Sequence, residues 1–350
     1  MPIYYPTTGG VTGIPVTTVN AKGDLLVGTA DDTITRVPVG VNDTFLKADS
    51  AQPSGVTWST VGINFVGKNV LDYGTTATLG TAFNAAVAAL GSAGGDIWIP
   101  PGSYTVDTTM NLDSNVPIRV FAKGATMTVS AGVGIGLLVD GDNSALAPGC
   151  DWLDGIFDGV TASTQVLVKL RNSMRFRMAG TYLRRAGKAI LFSNDGSVSS
   201  QPYCESNNFY GIGINGCTVG VDTEIVSGGN ASFDQNRFTD CDFPNNGTSI
   251  NLCTNADLFG FQIKGGAIWC SNAQTGIAID GKCTGLHIQT RIEGTAATPT
   301  AGLSFGANAT NLREGHYELN FVSNFTAANQ VVINVGNPIQ AITWEEYSTG

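Results

Sequence analysis

Gly276-Ile277-Ala278-Ile279 alternates small and apolar residues, and close copies of this stretch occur one period earlier and one period later. The copies are Ser249-Ile250-Asn251-Leu252 and Gly302-Leu303-Ser304-Phe305. Alternation of this kind indicates short half-buried strands. The apolar anchors of the series are 27, 26 and 29 residues apart: Ile250, Ile277, Leu303 and Val332. Earlier members of the same series lie at 166–170 and 189–192.

A second series of strands follows the first and repeats with a similar spacing. Its anchors are 28, 26 and 27 residues apart: Leu258, Leu286, Leu312 and Ile339. Two series with nearly the same period are what stacked coils produce, and a period in the twenties with two or three strands per repeat indicates a solenoid. The Leu/Asn signature of leucine-rich repeats is missing, and the strand pattern leaves no room for helical repeats.

These repeats predict a parallel β-helix from residue 63 to residue 350. Coils stack about 4.8 Å apart, so seven or eight of them make a rod roughly 35 Å long. The open end of such a rod must be covered, because an exposed strand edge invites aggregation. The segment 78–91 predicts a lid helix, with Thr78 as its N-cap and Gly91 at its end. The apolar face of this helix consists of Leu79, Phe83, Ala86, Val87 and Leu90.

Two segments with a different composition and sequence pattern precede the solenoid. Residues 1–19 are rich in Pro, Gly and Thr without periodicity and indicate an extended arm. Residues 20–62 predict a small β module of four short strands, near 24–28, 33–40, 44–48 and 55–59. A module of this size with so few apolar residues is too small to be stable alone without metal or disulfides. We therefore expect partner chains to complete its core.

The composition excludes several classes of protein. The chain has 350 residues with 45 glycines and only 13% charged residues. This composition disfavours helices and favours strands and turns. The formal charge of −10 argues against a nucleic-acid or anionic-membrane surface. No apolar run has the 18 or so residues of a membrane helix, and the first residues do not form a signal peptide.

The seven cysteines do not form a recognisable framework. Their number is odd and no CxxC pair occurs, so neither a disulfide scaffold nor a zinc site is predicted. We expect reduced, buried thiols that pack as small hydrophobic side chains. No metal site and no cofactor are predicted.

The best candidate for a functional site is a set of outward positions in the second strand series. Gln289, Arg291 and Glu293 alternate with Ile288 and Ile292, so the polar residues face solvent. In the next coil Glu314, His316 and Glu318 face outward in the same way.

A one-residue slip between these coils sets the expected neighbours. It places Arg291 over His316 and Glu293 over Glu318. Gln262 and Lys264 then lie one coil below.

Two interpretations of this patch remain open. If the protein is an enzyme, Glu293 and Glu318 are the candidate catalytic residues, because glycoside cleavage needs a pair of carboxylates. Arg291, His316, Gln289 and Glu314 are then candidates for substrate binding. The alternative is a ladder of exposed ion pairs, each of which contributes about 0–1 kcal/mol to stability.

A second acidic cluster, Asp151, Asp154 and Asp158, is a weaker candidate, because Asp-Gly is also a plain turn signal. Strict alternation would place Asp154 and Asp158 on the same face as Trp152. The aromatic residues Trp269, Tyr317 and Trp344 are candidates for stacking on sugars, and core packing is the alternative. The longest insertions, near 193–208 and 226–236, are expected to make binding or inter-chain contacts.

Residues 70–128 resemble the start of the pectate-lyase-like right-handed β-helix family, found in phage tailspikes and polysaccharide-active enzymes. The resemblance rests on Asp72-Tyr73-Gly74, the lid helix, and the run from Gly94 through Pro100-Pro101-Gly102 to Tyr104. The family usually has Asp-Asp-Thr before the helix, and Thr75-Thr76-Ala77-Thr78 stands here instead. The Asn-Thr-Asp and Gly-His-Gly signatures of polygalacturonases are absent. The resemblance implies a right-handed, all-β solenoid.

Residues 20–58 resemble a module of phage tail-fibre and virion-fibre proteins. The matching segments, in order, are 20–30, Arg36-Val37-Pro38-Val39-Gly40, 46–50 and Gly55-Val56-Thr57-Trp58. Together the two resemblances imply a phage virion fibre or tailspike. They imply a homotrimer that attaches to other virion proteins through residues 1–62.

Three functions are compatible with the sequence. The leading hypothesis is a virion tail fibre or tailspike that contacts a host cell-surface glycan through its β-helix, assembled in the host cytoplasm and located in the virion. The second is a tailspike depolymerase, a polysaccharide hydrolase or lyase, which the missing motifs disfavour. The third is a capsid or baseplate decoration fibre without a receptor. None of them requires nucleic acid or membrane insertion.

Overall fold

The protein was analysed as a computed structural model. It describes residues 21–30, 33–41, 44–60, 67–141, 148–160, 164–199, 202–229, 232–252, 257–271, 273–295, 299–313, 315–322, 325, 330–333 and 343–346. The expected arm at 1–19 lies outside these ranges. The chain divides into two compact units, residues 1–65 and 66–350.

The smaller unit consists of two antiparallel hairpins. Strand β1 (Leu25–Ala30) pairs with β2 (Thr33–Val37), and β3 (Thr44–Ala48) pairs with β4 (Val56–Thr60). The Trp58 indole N–H donates to the carbonyl of Pro38 at 2.5 Å. Within the described part of this unit Val37 is the only hydrophobic residue that is buried. Its own core is therefore very small.

In the larger unit the helix α1 (Leu79–Leu90) is flanked by 3₁₀ turns at Val70–Asp72 and Gly91–Ala93. Its strands, in chain order, are β5 (Gly67–Asn69), β6 (Gly95–Trp98), β7 (Gly102–Val106), β8 (Met110–Asp113), β9 (Ile118–Phe121), β10 (Ala125–Val129), β11 (Ile135–Asp140), β12 (Asp151–Leu153), β13 (Ile156–Asp158), β14 (Val166–Arg171), β15 (Arg177–Ala179), β16 (Tyr182–Arg184), β17 (Lys188–Asp195), β18 (Asn208–Tyr210), β19 (Gly213–Asn215), β20 (Val219–Val226), β21 (Arg237–Thr239), β22 (Asp242–Pro244), β23 (Thr248–Leu252), β24 (Gln262–Cys270), β25 (Thr275–Ile279), β26 (Lys282–Thr284), β27 (His287–Gly294), β28 (Ala301–Phe305), β29 (Thr310–Arg313), β30 (His316–Val322), β31 (Val331–Ile333) and β32 (Thr343–Glu346).

Each of the first six coils contributes one strand to each of three faces. The first face runs from β6 through β9, β12, β15, β18 and β21, and the second from β7 through β10, β13, β16, β19 and β22. The third face is a sheet of nine parallel strands, β8, β11, β14, β17, β20, β23, β25, β28 and β31. From β24 onward single strands serve both the first and the second face. The architecture is the expected right-handed parallel β-helix.

The first repeat series corresponds to the third face. Ile250 pairs with Ile277, and Ile277 pairs with Leu303, as the anchors predicted. The partner of Leu303 is Val331, one residue before the expected Val332. The nine strands of the described third face give nine coils, more than the seven or eight expected. The sequence pattern missed β20 because Asp222, Thr223 and Glu224 interrupt its apolar run.

The second repeat series does not form a single ladder. Leu312 lies in β29, which pairs with β26, whereas Leu286 comes directly before β27. These two anchors therefore occupy different positions in their coils. Ile339 lies outside the described residues. An extra short strand in each of the two coils caused the error, because it supplied an apolar residue at nearly the right spacing.

The corner between the first and second faces breaks the strand alternation. At Asp154 and Gly155 the φ angles are 65° and 84°, a left-handed conformation that glycine adopts at least cost. As a result Trp152 before the corner and Phe157 after it are both buried. The expectation that Trp152 lies on the same face as Asp154 and Asp158 was wrong, because it assumed a continuous strand.

The lid helix packs its apolar face onto the first coils. Leu79, Phe83 and Ala86 are buried, and the helix ends at Gly91, where φ is 61°. Thr78 occupies the N-cap position, but its side chain makes no capping hydrogen bond to the helix. The carboxylate of Asp107 accepts from the backbone N–H of Thr81 at 3.2 Å instead. The helix start is therefore capped by a residue of the first coil.

Aromatic rings fill the middle of the core. Phe209 and Phe238, in successive coils of the first face, stack with ring centroids 4.6 Å apart. Phe192 of the third face meets both rings edge-on at 5.8 and 6.2 Å. Next to this stack Asn207 and Asn236 are completely buried and bond to one another from coil to coil. The interior thus combines a dry aromatic stack with a satisfied amide ladder.

The five cysteines whose side chains the structure describes are free and buried: Cys150, Cys204, Cys217, Cys241 and Cys270. Burial raises the pKa of the Cys204 thiol to about 12 and that of Cys217 to about 11. These thiols therefore pack as apolar groups, as the sequence predicted. Cys253 and the side chain of Cys283 lie outside the described residues.

Candidate functional site

The outer surface of the later coils carries two neighbouring grooves. The first, which we call the aromatic groove, has a volume of about 510 Å³ and lies on the second face. The second, the polar groove, has a volume of about 490 Å³ and follows the corner between the first and second faces. Of the described site residues, Gln289, Arg291 and Glu318 line the polar groove, and Glu293 bonds to Trp269 of the aromatic groove.

Strand pairing places the predicted site residues differently from the expected slip. Gln289 pairs with Glu318, and His287 pairs with His316. Arg291 lies opposite Asn320, and Glu293 opposite Val322. The expected stacking of Arg291 on His316 and of Glu293 on Glu318 is therefore wrong. The cause is the misplaced anchor Leu312, which shortened the spacing between these coils.

Gln262 and Lys264 lie one coil below, as expected, under His287 and Gln289. Glu314 lies outside the described residues. Tyr317 is buried in the core, so it is not available for stacking on a ligand. The side chain of Trp344 is also outside the described part of the chain.

Glu293 is held in a fixed orientation. Its Oε2 accepts a hydrogen bond from the Trp269 indole N–H at 3.1 Å, and it also forms an ion pair with Arg291 on the same strand. Glu318 accepts a hydrogen bond from the Gln289 amide at 2.7 Å. The structure thus places Glu293 between Trp269 and Arg291, and Glu318 on the neighbouring coil. Such oriented carboxylates can accept hydrogen bonds from ligand hydroxyl groups.

The aromatic groove is built around Tyr182 and Trp269. A Cβ atom added to Gly213 would lie 2.3 Å from the ring of Tyr182, so this ring lies directly over Gly213. The Tyr182 hydroxyl accepts from the Asn215 amide at 2.8 Å. Trp269 forms part of the opposite end, three coils further along the solenoid. The absence of a side chain at Gly213 makes room for the Tyr182 ring.

Polar groups lie between the two rings. Asp242 and Asn245 are exposed and line the aromatic groove. Asp242 also accepts a hydrogen bond from the backbone N–H of Ala267 at 3.1 Å, which fixes its position. Aromatic walls with a few oriented polar groups are typical of ligand sites. Sequence reasoning missed Tyr182, Asp242 and Asn245, because only the coil register brings them next to Trp269.

His287 and His316 stack edge to face across two coils, with ring centroids 4.7 Å apart. Burial lowers the pKa of His287, and the nearby cations Lys264 and His316 lower it further, while Glu318 opposes them. Sequence reasoning missed this pair, because the expected register separated the two rings.

We expect acid to destabilise these coils through His287. Its pKa in the folded state lies below the ordinary value of about 6.5, so the unfolded chain takes up the proton first and stability falls as pH drops through about 6.5. The melting temperature between pH 7.5 and pH 5 should fall less in His287→Gln than in the unmodified protein. Burial raises the pKa values of Glu205 and Asp234, so the protonation of these two carboxyl groups stabilises the folded state in acid. This opposite effect is the same in both proteins, so it cancels in the comparison. Equal pH profiles for both proteins would contradict the prediction.

Two of the three residues in the acidic cluster at 151–158, Asp151 and Asp158, lie beside arginines. Asp158 is buried and forms ion pairs with both Arg184, at 2.9 Å, and Arg185. Burial alone would raise the pKa of Asp158, but the hydrogen bonds from these two arginines outweigh it and hold the pKa below its ordinary value. Asp151 lies 4.0 Å from Arg177. This cluster therefore supports the structural interpretation.

Within the described residues no group of three or more His, Cys, Asp or Glu side chains is arranged to hold a metal ion. Among the described helices, none combines the length and the apolar character needed to cross a membrane.

Comparison with known proteins identifies similar folds only. No family model matches the chain, and no curated protein matches its sequence. Among solved structures, the A-module of the mannuronan C-5 epimerase AlgE4 from Azotobacter vinelandii is 12% identical, with a TM-score of 0.39, over 81% of this chain and 100% of that one. ORF18 of Geobacillus virus E2 is 13% identical, with a TM-score of 0.40, over 89% and 69%. The Dettilon tailspike protein is 12% identical, with a TM-score of 0.30, over 79% and 70%. At these values the functions of the three proteins are not transferred to this chain.

Proposed function

We propose that the chain is a phage virion protein, a tail fibre or tailspike, whose β-helix binds a glycan of the host surface. The virion assignment is supported by the resemblance of residues 20–58 and 70–128 to modules of such proteins. As a fibre, the chain forms a homotrimer and attaches to other virion proteins through residues 1–62. The very small core of the N-terminal unit is consistent with a module that partner chains complete.

The aromatic groove carries the glycan part of the proposal. Tyr182 and Trp269 lie three coils apart, roughly 14 Å along the solenoid, with Asp242 and Asn245 between them. Aromatic rings offer apolar faces to the C–H faces of sugars, and the carboxylate and amide groups can bond their hydroxyls. The length and openness of the groove suit an oligosaccharide segment.

The polar groove extends this surface toward the end of the solenoid. Lys264, Gln289, Arg291, Glu318 and Asn320 line it. Arg291 connects the two grooves, because its partner Glu293 is also the partner of Trp269. A bound chain of sugars can therefore find hydrogen-bond donors and acceptors beyond the aromatic groove.

Binding of the full-length protein to an array of purified bacterial surface polysaccharides tests the proposal. Trp269→Ala should weaken binding at least tenfold, because it removes the ring and releases Glu293. Trp269→Phe should keep part of the affinity, because it retains an aromatic face but loses the hydrogen bond to Glu293. Phe259→Ala is the matched control, since Phe259 is 49% exposed and lies outside both grooves.

Equal binding by Trp269→Ala and the unmodified protein would reject this groove as the glycan site. Absence of binding to any polysaccharide would favour a decoration fibre. Release of sugar fragments that is abolished by Glu293→Gln or Glu318→Gln would show a depolymerase instead.

A further inference from the structure

The residues beside the corner between the first and second faces change character along the solenoid. In the first five coils the last outward residue of the first face is apolar, and we call this ladder the apolar stripe: Trp98, Phe121, Leu153, Ala179 and Tyr210. In the next four coils the same position is polar: Thr239, Lys264, Gln289 and Glu318. The polar half lines the groove described above. The apolar half has no role in that site.

The apolar stripe is continuous and open to solvent. Trp98 is 46% exposed and Tyr210 is 42% exposed, at the two ends of the ladder. Trp98 and Phe121 stack with ring centroids 5.2 Å apart. Leu153 and Ala179 between them are partly exposed. Five coils at a spacing of about 4.8 Å give a stripe roughly 19 Å long. Exposed apolar surfaces of this kind mark interaction sites.

The distribution of charge indicates which partner covers the stripe. Residues 95–215, which form the first four coils and the first and second faces of the fifth, contain nine basic and ten acidic residues, so they are almost neutral. Residues 216–350 contain five basic and twelve acidic residues. Copies of a chain with a net charge of −10 repel one another least where the first five coils meet.

The charges next to the stripe are also compensated within one chain. Two residues before the stripe on these strands, Asp96 forms an ion pair with Arg119 at 2.8 Å, and Asp151 lies 4.0 Å from Arg177. A strongly acidic or strongly basic partner would find no complementary field on this surface. A second copy of the same near-neutral surface fits it.

We propose that the apolar stripe is a contact between parallel copies of this chain, and this inference rests on the fibre proposed above. Around a three-fold axis close to the corner, the stripe of one copy meets the other side of the corner of the next copy. Ile156 faces outward there, directly after the turn at Asp154 and Gly155. Parallel copies have the same coil spacing, so every coil of the stripe finds a partner. In the fourth and fifth coils the positions across the corner are Tyr182 and Gly213, so the neighbouring copy borders the aromatic groove there, while the later polar coils stay free for ligand.

The full-length protein with both Trp98→Arg and Tyr210→Arg tests the inference. Both side chains are exposed at their outer ends, so the fold should survive, as circular dichroism would show. For the unmodified protein we expect a native mass of about 109 kDa by light scattering, three times the chain mass of 36.4 kDa. The double variant should dissociate to monomers at a protein concentration at least ten times higher than the one at which the unmodified protein dissociates. Phe259→Arg, which places the same charge at an exposed ring elsewhere, should leave the mass unchanged.

Oxidative footprinting of the unmodified protein covers the case in which residues 1–62 hold the trimer together without the stripe. Trp98 and Tyr210 should react more slowly in the oligomer than their exposure in one chain implies, whereas Phe259 should not. Reaction of Trp98 and Tyr210 at the rate of exposed residues would overturn the inference.

A monomeric protein that binds glycan would also overturn the inference, while leaving the grooves as the glycan site. An oligomer with a protected stripe that binds no glycan would reject the proposed receptor role and keep the contact.

Discussion

Phe238→Ala should lower the free energy of unfolding by about 3–5 kcal/mol. Phe238 is completely buried and stacks on Phe209 with ring centroids 4.6 Å apart. It also meets Phe192, Phe243 and Phe261 at 6.0 to 6.2 Å. Removal of this ring leaves a cavity surrounded by four aromatic side chains. Rigid parallel strands above and below the cavity hinder its collapse, so the upper part of the range is expected.

Urea unfolding at fixed protein concentration measures this effect, because oligomerisation makes stability depend on concentration. Phe259→Ala is the matched control: it removes the same ring from an exposed turn and should change stability by no more than about 0.5 kcal/mol. A loss below about 1 kcal/mol for Phe238→Ala would mean that this stack does not form the centre of the core.

Asn236→Leu should destabilise the protein by about 2–5 kcal/mol, although it makes the interior more apolar. The Asn236 Oδ1 accepts from the backbone N–H of Asn207 at 3.0 Å and from its side-chain amide at 2.9 Å. The Asn236 Nδ2 donates to the carbonyls of Cys204 at 2.8 Å and Phe233 at 2.9 Å. Leucine removes all four hydrogen bonds, and each buried polar group that is left without a partner costs about 1–3 kcal/mol.

Asn208→Ala is the control for this prediction. Asn208 is next to Asn207 but only half-buried, and its amide donates to a single acceptor, the Ser206 carbonyl, at 2.8 Å. Its replacement should cost less than about 1 kcal/mol. Asn236→Asp should also destabilise the protein, because it removes both donors and buries a charge. If Asn236→Leu were as stable as the unmodified protein, the amide ladder would not be needed to satisfy the interior.

The lid helix illustrates how local and tertiary information divide. The helical spacing of Leu79, Phe83 and Ala86 predicted both the helix and its buried face, because helical periodicity is a local property. The cap was predicted at Thr78, but Asp107 supplies it from the first coil. Asp107 is distant in sequence, and no local pattern indicates which carboxylate reaches the helix start.

The candidate site shows the same division more strongly. Alternation predicted that Gln289, Arg291 and Glu293 face outward, and they do. Their neighbours in the next coil were wrong, because the loops between coils vary in length and Leu312 falls in an additional strand. The register error here is four residues, and an even shift leaves every side chain on the correct face but gives it the wrong partner.

The sequence by itself determined that the chain is a parallel solenoid with a lid helix and a separate β module, because period and alternation follow from strand geometry in each short segment. It also determined which residues of a strand face outward. The tertiary structure decided which of these residues meet across coils: His287 with His316, Trp269 with Glu293, and Tyr182 over Gly213. It also revealed the change from the apolar stripe to the polar groove along one corner. Neighbours across coils depend on the length of every intervening loop, and only the assembled solenoid fixes that register.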